Sequence, residues 1–143
     1  MQTVIFACVR NAGRSQMAAA LFNALADPRR AAAVSAGTRP ADRVHARVVD
    51  AMREIGLDLS AARPQRLTQE MASHAGLLIT MGCGDECPIV PGLERDDWAL
   101  PDPADQPIAK VRAIRDEIQD RVRMLIATRG WARRESPASS PRR

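Results

Sequence analysis

The feature that most constrains the fold is a short apolar run near the start of the chain that breaks off into a polar turn. Residues 3–7 are β-prone and apolar, which is typical of a buried parallel strand. The turn from Cys8 to Ser15 contains a glycine and leads into an apolar periodicity that predicts a helix over residues 16–26. We expect Ser15 to cap this helix through its hydroxyl group.

Strand and helix patterns alternate along the rest of the chain. We predict further strands at residues 34–37, 77–81 and 98–100, and further helices at residues 45–55, 67–75 and 108–128. This alternation favours an α/β fold, a three-layer sandwich with a short central parallel sheet. Ligands of such sheets bind beyond the carboxyl ends of the strands, so Cys8, Cys83 and Asp102 are expected to converge there.

Length and charge limit the class of protein. The 143 residues fit a single domain over residues 1–130, and we expect the basic stretch 131–143 to be a disordered tail. Much of the net charge of +4 lies in that tail, and aromatic residues make up only 3% with no Tyr, which argues against nucleic-acid binding. No apolar run approaches the ~20 residues that span a bilayer, so we expect a cytoplasmic protein without membrane contact. We also expect the protein to be a monomer.

The turn after the first strand has the form of a cysteine, five residues, an arginine and a serine. A loop that enters a helix N-terminus turns successive amide groups inward and forms a cradle for a tetrahedral oxyanion. The predicted substrate-binding residues are Val9, Arg10, Asn11, Ala12, Gly13 and Arg14. Arg14 adds a guanidinium fork, whereas Arg10 either helps to capture the anion or is a solvated loop charge. The same field stabilises the Cys8 thiolate, to which Ser15 can donate a hydrogen bond even if it also caps the helix.

Three cysteines, Cys8, Cys83 and Cys87, cannot pair into an even structural framework. Thiols of a cytosolic protein are kept reduced at rest, so the odd number of cysteines indicates a chemical rather than a structural role for the thiols. A structural zinc site needs four ligands, and His45 and His74 lack metal-like spacing, so we expect no metal and assign neither histidine a role.

This loop resembles the signature of the low-molecular-weight protein tyrosine phosphatase superfamily, and the chain most resembles the arsenate reductases built on that fold. The resemblance is carried by residues 8–17, 35–40, 79–88 and 102–104. It implies a phosphatase-like fold, an arsenic-detoxifying enzyme, Cys8 as nucleophile and Asp102 as general acid. Ala104 stands where the phosphatases carry an aromatic residue, so the pocket is unsuited to an aryl ester.

The resemblance also implies where the electrons come from. If this chain follows the thioredoxin-coupled members, Cys83 would form a disulfide with Cys8. Cys87 would then attack Cys83 and leave a redox-active disulfide between Cys83 and Cys87 for thioredoxin to reduce. Other members use mycothiol or another small thiol and need only Cys8. A phosphatase and a non-catalytic arsenic or redox sensor are the remaining alternatives. No bound cofactor is implied, and Ala19 replaces a glutamate that supports a potassium site in some members.

Overall fold

The protein is described by a computed structural model that covers residues 1–82 and 90–133. One sheet contains four strands: β1 (Gln2–Cys8), β2 (Ala31–Gly37), β3 (Leu77–Thr80) and β4 (Glu94–Asp97). All neighbouring strands are parallel, in the order β2-β1-β3-β4. The helices are α1 (Arg14–Leu25), α2 (Ala46–Arg53), α3 (Gln69–Ser73) and α4 (Ile108–Arg129). The predicted α/β fold with a central parallel sheet is therefore confirmed.

Apolar side chains cover both faces of the sheet. On one face, Val4 and Phe6 of β1 belong to a large buried cluster that includes residues of α1, α2 and α4. On the other face, Ile5 and Ala7 form a smaller cluster against which Met71 of α3 packs. Because β1 is buried on both sides, its sequence is continuously apolar rather than alternating.

The order of the strands places a crevice at the carboxyl edge of the sheet. β1 connects to β2 on one side, and the chain then returns across β1 to place β3 on its other side. Loops that leave neighbouring strands in opposite directions open a crevice at this point, which is where parallel sheets bind ligands. Cys8 ends β1 at this edge, paired in register with Gly37 at the end of β2.

The last strand differs from the prediction, which placed it at residues 98–100. The structure places β4 at Glu94–Asp97, and all four of its side chains are exposed. An edge strand that carries charged side chains resists pairing with other chains, and it shows no apolar alternation. The apolar signal came instead from Trp98 and Leu100, which are buried in the core just beyond the strand.

The first helix begins at Arg14, and the expectation that Ser15 caps it is wrong. Gly13 occupies the N-cap position, and no side chain there donates to or accepts from the first turn. Ser15 lies inside the helix, and its hydroxyl group is turned toward Cys8 and Asn11. No helix within residues 1–82 and 90–133 is long and apolar enough to cross a membrane.

Candidate active site

Cys8 lies at the floor of a cavity of about 480 Å³ at the carboxyl edge of the sheet. Only 3% of the residue is exposed, and its Sγ lies 2.9 Å from the Oγ of Ser15. The cavity is lined by Cys8, Val9, Arg10, Ala12, Gly13, Arg14, Arg39, His45, Gly82, Leu100 and Asp102. Most of the predicted substrate-binding residues and the predicted general acid therefore share one cavity with the sulfur.

A chain of hydrogen bonds fixes which atom donates to this sulfur. The backbone N–H of Gln65 donates to Oδ1 of Asn11 at 2.9 Å, so the Nδ2 of Asn11 faces Ser15. That Nδ2 donates to the Ser15 Oγ at 2.8 Å. A hydroxyl group that accepts from one side keeps its own hydrogen for the other, so Ser15 donates to Cys8. The Cys8 sulfur is therefore the final acceptor of a chain of hydrogen bonds that begins at the Gln65 amide.

The loop between β1 and α1 turns its carbonyl groups away from the cavity. The carbonyl oxygens of residues 9–13 each accept a hydrogen bond. The pairs are Val9 with Arg39 N (2.8 Å), Arg10 with Ala41 N (2.9 Å), Asn11 with Gln16 Nε2 (3.1 Å), Ala12 with His45 N (3.0 Å) and Gly13 with Met17 N (3.0 Å). In a planar trans peptide the N–H points opposite to the preceding C=O. The amide groups of residues 10–14 are therefore turned toward the cavity that the loop lines. Such a ring of amides at a helix N-terminus is suited to a tetrahedral anion.

Two positions make this loop conformation possible. Asn11 has φ of +52°, the left-handed region that asparagine tolerates better than most residues. Gly37 at the end of β2 packs directly against the loop, since a Cβ there would lie 2.6 Å from the Val9 carbonyl oxygen. The end of β2 and the anion loop thus depend on each other for their positions.

Arg14 connects the loop to the ends of two neighbouring segments. Its Nη1 donates to the carbonyl oxygens of Met81 at 2.6 Å and Leu100 at 2.9 Å. Its Nη2 lies 4.0 Å from Oδ2 of Asp102, whose side chain is 57% exposed at the cavity rim. The buried backbone contacts hold the guanidinium group in the cavity that Cys8 lines, and the Asp102 carboxyl lies in the same cavity at a solvent-exposed position.

Two residues to which the sequence pattern gave no role also line the cavity. Arg39 follows β2, and its backbone N–H supports the loop. His45 is half-buried in the cavity wall and supports the loop through its own N–H. Their place after β2, the neighbour of β1, is the signal that could have found them, because loops that follow adjacent parallel strands meet at one edge.

The predicted resolving thiols, Cys83 and Cys87, lie outside the described residues. Gly82, which precedes them, lines the cavity. Within residues 1–82 and 90–133, no group of three or more His, Cys, Asp and Glu side chains could hold a metal ion.

Comparison with known proteins decides the family. The family described as low molecular weight phosphotyrosine protein phosphatase matches residues 3–134. The chain belongs to this family. A putative arsenate reductase of Halobacterium salinarum is 39% identical over 121 residues, which cover 82% of this chain and 85% of the relative. A glutaredoxin arsenate reductase of Synechocystis is 32% identical, over 89% of this chain and 98% of the relative.

Comparison with a solved structure agrees with these sequence matches. A thioredoxin-dependent arsenate reductase of Corynebacterium glutamicum aligns with a TM-score of 0.73 and 37% sequence identity, over 90% of this chain. The chain spans 61% of the length of that protein. The resemblance to arsenate reductases on the low-molecular-weight phosphatase fold is therefore confirmed.

Proposed function

We propose that this chain reduces arsenate to arsenite and that Cys8 is the sulfur that bonds arsenic. One observation carries the proposal: the Cys8 sulfur accepts a 2.9 Å hydrogen bond from Ser15 at the floor of a cavity whose loop carbonyls all face outward. This geometry supports an oxyanion held against a thiolate. The family and the arsenate reductases among its relatives support the choice of arsenate.

The lining of the cavity supports a small anion over an aryl phosphate. The described residues that line it include three arginines, Arg10, Arg14 and Arg39, and one carboxylate, Asp102. Among the described lining residues the imidazole of His45 is the only ring, so the aromatic walls that hold a phenyl ester are missing there. A cation-rich cavity of this kind favours a substrate whose charge is concentrated in one tetrahedral group.

In the first step, the Cys8 thiolate attacks arsenic(V) and a sulfur–arsenic bond forms. One hydroxyl group of arsenate leaves, and it takes a proton from Asp102 so that it departs as water. Arg14 and the loop amides of residues 10–14 hold the remaining oxygens and balance the negative charge as the geometry at arsenic changes.

In the second step, a thiolate attacks the Cys8 sulfur and the sulfur–arsenic bond breaks. The bonding pair stays on arsenic, which leaves as arsenite, while the two sulfurs are oxidised to a disulfide. We assign this thiolate to Cys83. Cys87 then attacks Cys83 and frees Cys8 as a thiolate, and a dithiol donor such as thioredoxin reduces the resulting disulfide. A cytoplasmic setting keeps such donors reduced.

A coupled assay tests the proposal. Purified protein with thioredoxin, thioredoxin reductase and NADPH should consume NADPH only after arsenate is added, and Cys8→Ser should abolish that consumption. The exposed Arg123 of α4 supplies a control, since Arg123→Ala removes a charge that is not part of the cavity lining and should retain wild-type turnover. Full activity of both Cys83→Ser and Cys87→Ser would exclude the internal relay.

The same assay separates the two alternative routes. Turnover that requires mycothiol or another small thiol, and that needs only Cys8, would assign the second step to an external thiolate. Efficient hydrolysis of a phosphotyrosine peptide without arsenate-dependent NADPH consumption would instead identify the chain as a phosphatase, which needs neither Cys83 nor Cys87.

A further inference from the structure

Gln16 is a buried amide behind the anion loop that the proposed chemistry does not use. The residue is 6% exposed. Its Nε2 lies 3.1 Å from the Asn11 carbonyl oxygen, 3.2 Å from the Asn11 Oδ1 and 3.3 Å from the Arg63 carbonyl oxygen. All three neighbours are acceptors, so this nitrogen acts only as a donor.

Gln16 differs from the other groups that hold the loop because it acts through a side chain. Backbone N–H groups donate to the carbonyls of Val9, Arg10, Ala12 and Gly13, and among the ordinary residues only proline at the donor position would remove such an N–H. The Asn11 carbonyl depends on Gln16. Asn11 is also the left-handed residue of the loop, where the backbone conformation is costly and needs support.

We propose that Gln16 is a positioning residue for oxyanion binding. Holding the Asn11 carbonyl outward turns the peptide between Asn11 and Ala12 so that the Ala12 N–H faces the bound ion. The same amide helps to fix the Asn11 Oδ1, and so the Nδ2 that donates to Ser15 behind the sulfur. One side chain thereby orients both the cradle and the group that donates to Cys8. Only the naming of the ion as arsenate rests on the proposed function.

Two substitutions separate the hydrogen bond from the space that the side chain fills. Gln16→Met keeps a similar length and removes the donor, so the Asn11 carbonyl loses its partner and the peptide is free to rotate. Gln16→Glu keeps the shape but places a carboxylate oxygen against three acceptor oxygens, which repels them. The glutamate variant should therefore disturb the loop more than the methionine variant.

Sulfate affinity measures the cradle without any redox chemistry. In a Cys83→Ser, Cys87→Ser background Cys8 is the remaining thiol, and the sulfate concentration that protects it from iodoacetamide gives a dissociation constant. Loss of one hydrogen bond to a loop carbonyl should weaken sulfate binding about tenfold in Gln16→Met. The KM for arsenate should rise more than kcat falls, because the change acts on the bound ion in substrate and transition state alike.

Asn23 provides a matched control for a structural effect. Its side-chain amide bonds both backbone groups of Ala33, at 2.9 and 2.8 Å, and it is absent from the cavity lining. Asn23→Ala should lower Tm and leave sulfate affinity unchanged. A folded Gln16→Met with wild-type sulfate affinity overturns the proposal, whatever its Tm.

A measurement on the unsubstituted protein covers the case in which neither Gln16 variant folds. The Ala12 amide signal in a ¹⁵N correlation spectrum should shift strongly on addition of sulfate, and an Ala12 amide that does not respond overturns the proposal. If the Gln16 variants bind sulfate more weakly but the unsubstituted protein does not reduce arsenate, the proposed function is refuted and the role of Gln16 stands. If the unsubstituted protein reduces arsenate and folded Gln16→Met keeps wild-type sulfate affinity, the role of Gln16 is refuted and the proposed function stands.

Discussion

Replacing Gly37 by alanine tests how strongly the anion loop depends on its contact with the end of β2. The new Cβ would lie 2.6 Å from the Val9 carbonyl oxygen and 3.0 Å from both the Asn11 nitrogen and the Cys8 carbonyl oxygen. These are backbone atoms, and ordinary contact begins near 3.4 Å, so the loop must retreat by roughly 0.8 Å. The displacement acts on the peptides that turn their amide groups toward the cavity.

The size of the effect follows from this displacement. Overpacking a well-packed site costs about 1 to 3 kcal/mol of folding free energy, so the variant should still fold. A misplacement close to 1 Å at a reacting centre can lower turnover about 100-fold. We therefore expect Gly37→Ala to lose roughly two orders of magnitude in kcat/KM for arsenate, with weaker protection of Cys8 by sulfate.

Gly56→Ala is the control that separates stability from the site. Gly56 has φ of +83°, and no atom lies within 4 Å of the position that an added methyl group would take, so alanine there is strained but meets nothing. The strain should cost about 1 kcal/mol or more of stability and leave arsenate turnover unchanged. The reasoning fails if folded Gly37→Ala keeps wild-type kcat/KM and sulfate affinity, or if Gly56→Ala loses as much activity.

Three further substitutions probe separate parts of the structure. Asp102→Asn should lower kcat for arsenate about 100-fold or more while sulfate still protects Cys8 from alkylation, because the change removes a proton donor and leaves the cradle intact. Arg14→Lys should weaken sulfate protection and lower Tm, because lysine cannot reproduce a guanidinium group that spans two backbone carbonyls and the cavity. Hydrogen bonds from Arg112 and Arg115 lower the pKa of Glu54 from 4.5 to about 2, so their stabilisation is present above pH 4.5 and is lost as the pH falls toward 2. Thermal unfolding of Glu54→Gln should therefore show a smaller loss of Tm over that range than wild type, and equal losses would contradict the role of Glu54.

The parts of the fold that sequence could predict are those specified by nearby residues. β1, α1 and α4 are recognisable because a continuous apolar run and a helical periodicity are local consequences of burial. The cysteine, arginine and serine of the anion loop are equally local, since strand, loop and helix follow one another directly.

The remaining features depend on contacts between distant residues. Gln65 lies 54 positions from the Asn11 that it orients, and nothing in the loop sequence indicates that partner. The same holds for Gly37, whose missing side chain leaves room for the loop and gives no positive signal. The charged strand β4 was missed because an exposed edge strand needs no apolar alternation.

The reaction of the reduced protein with arsenate, without any added electron donor, tests most directly whether Cys8 bonds arsenic and passes into a disulfide. We predict about one arsenite per chain and the loss of about two of the three free thiols, both abolished by Cys8→Ser. Arsenate that is recovered unchanged while all three thiols stay titratable would contradict this mechanism.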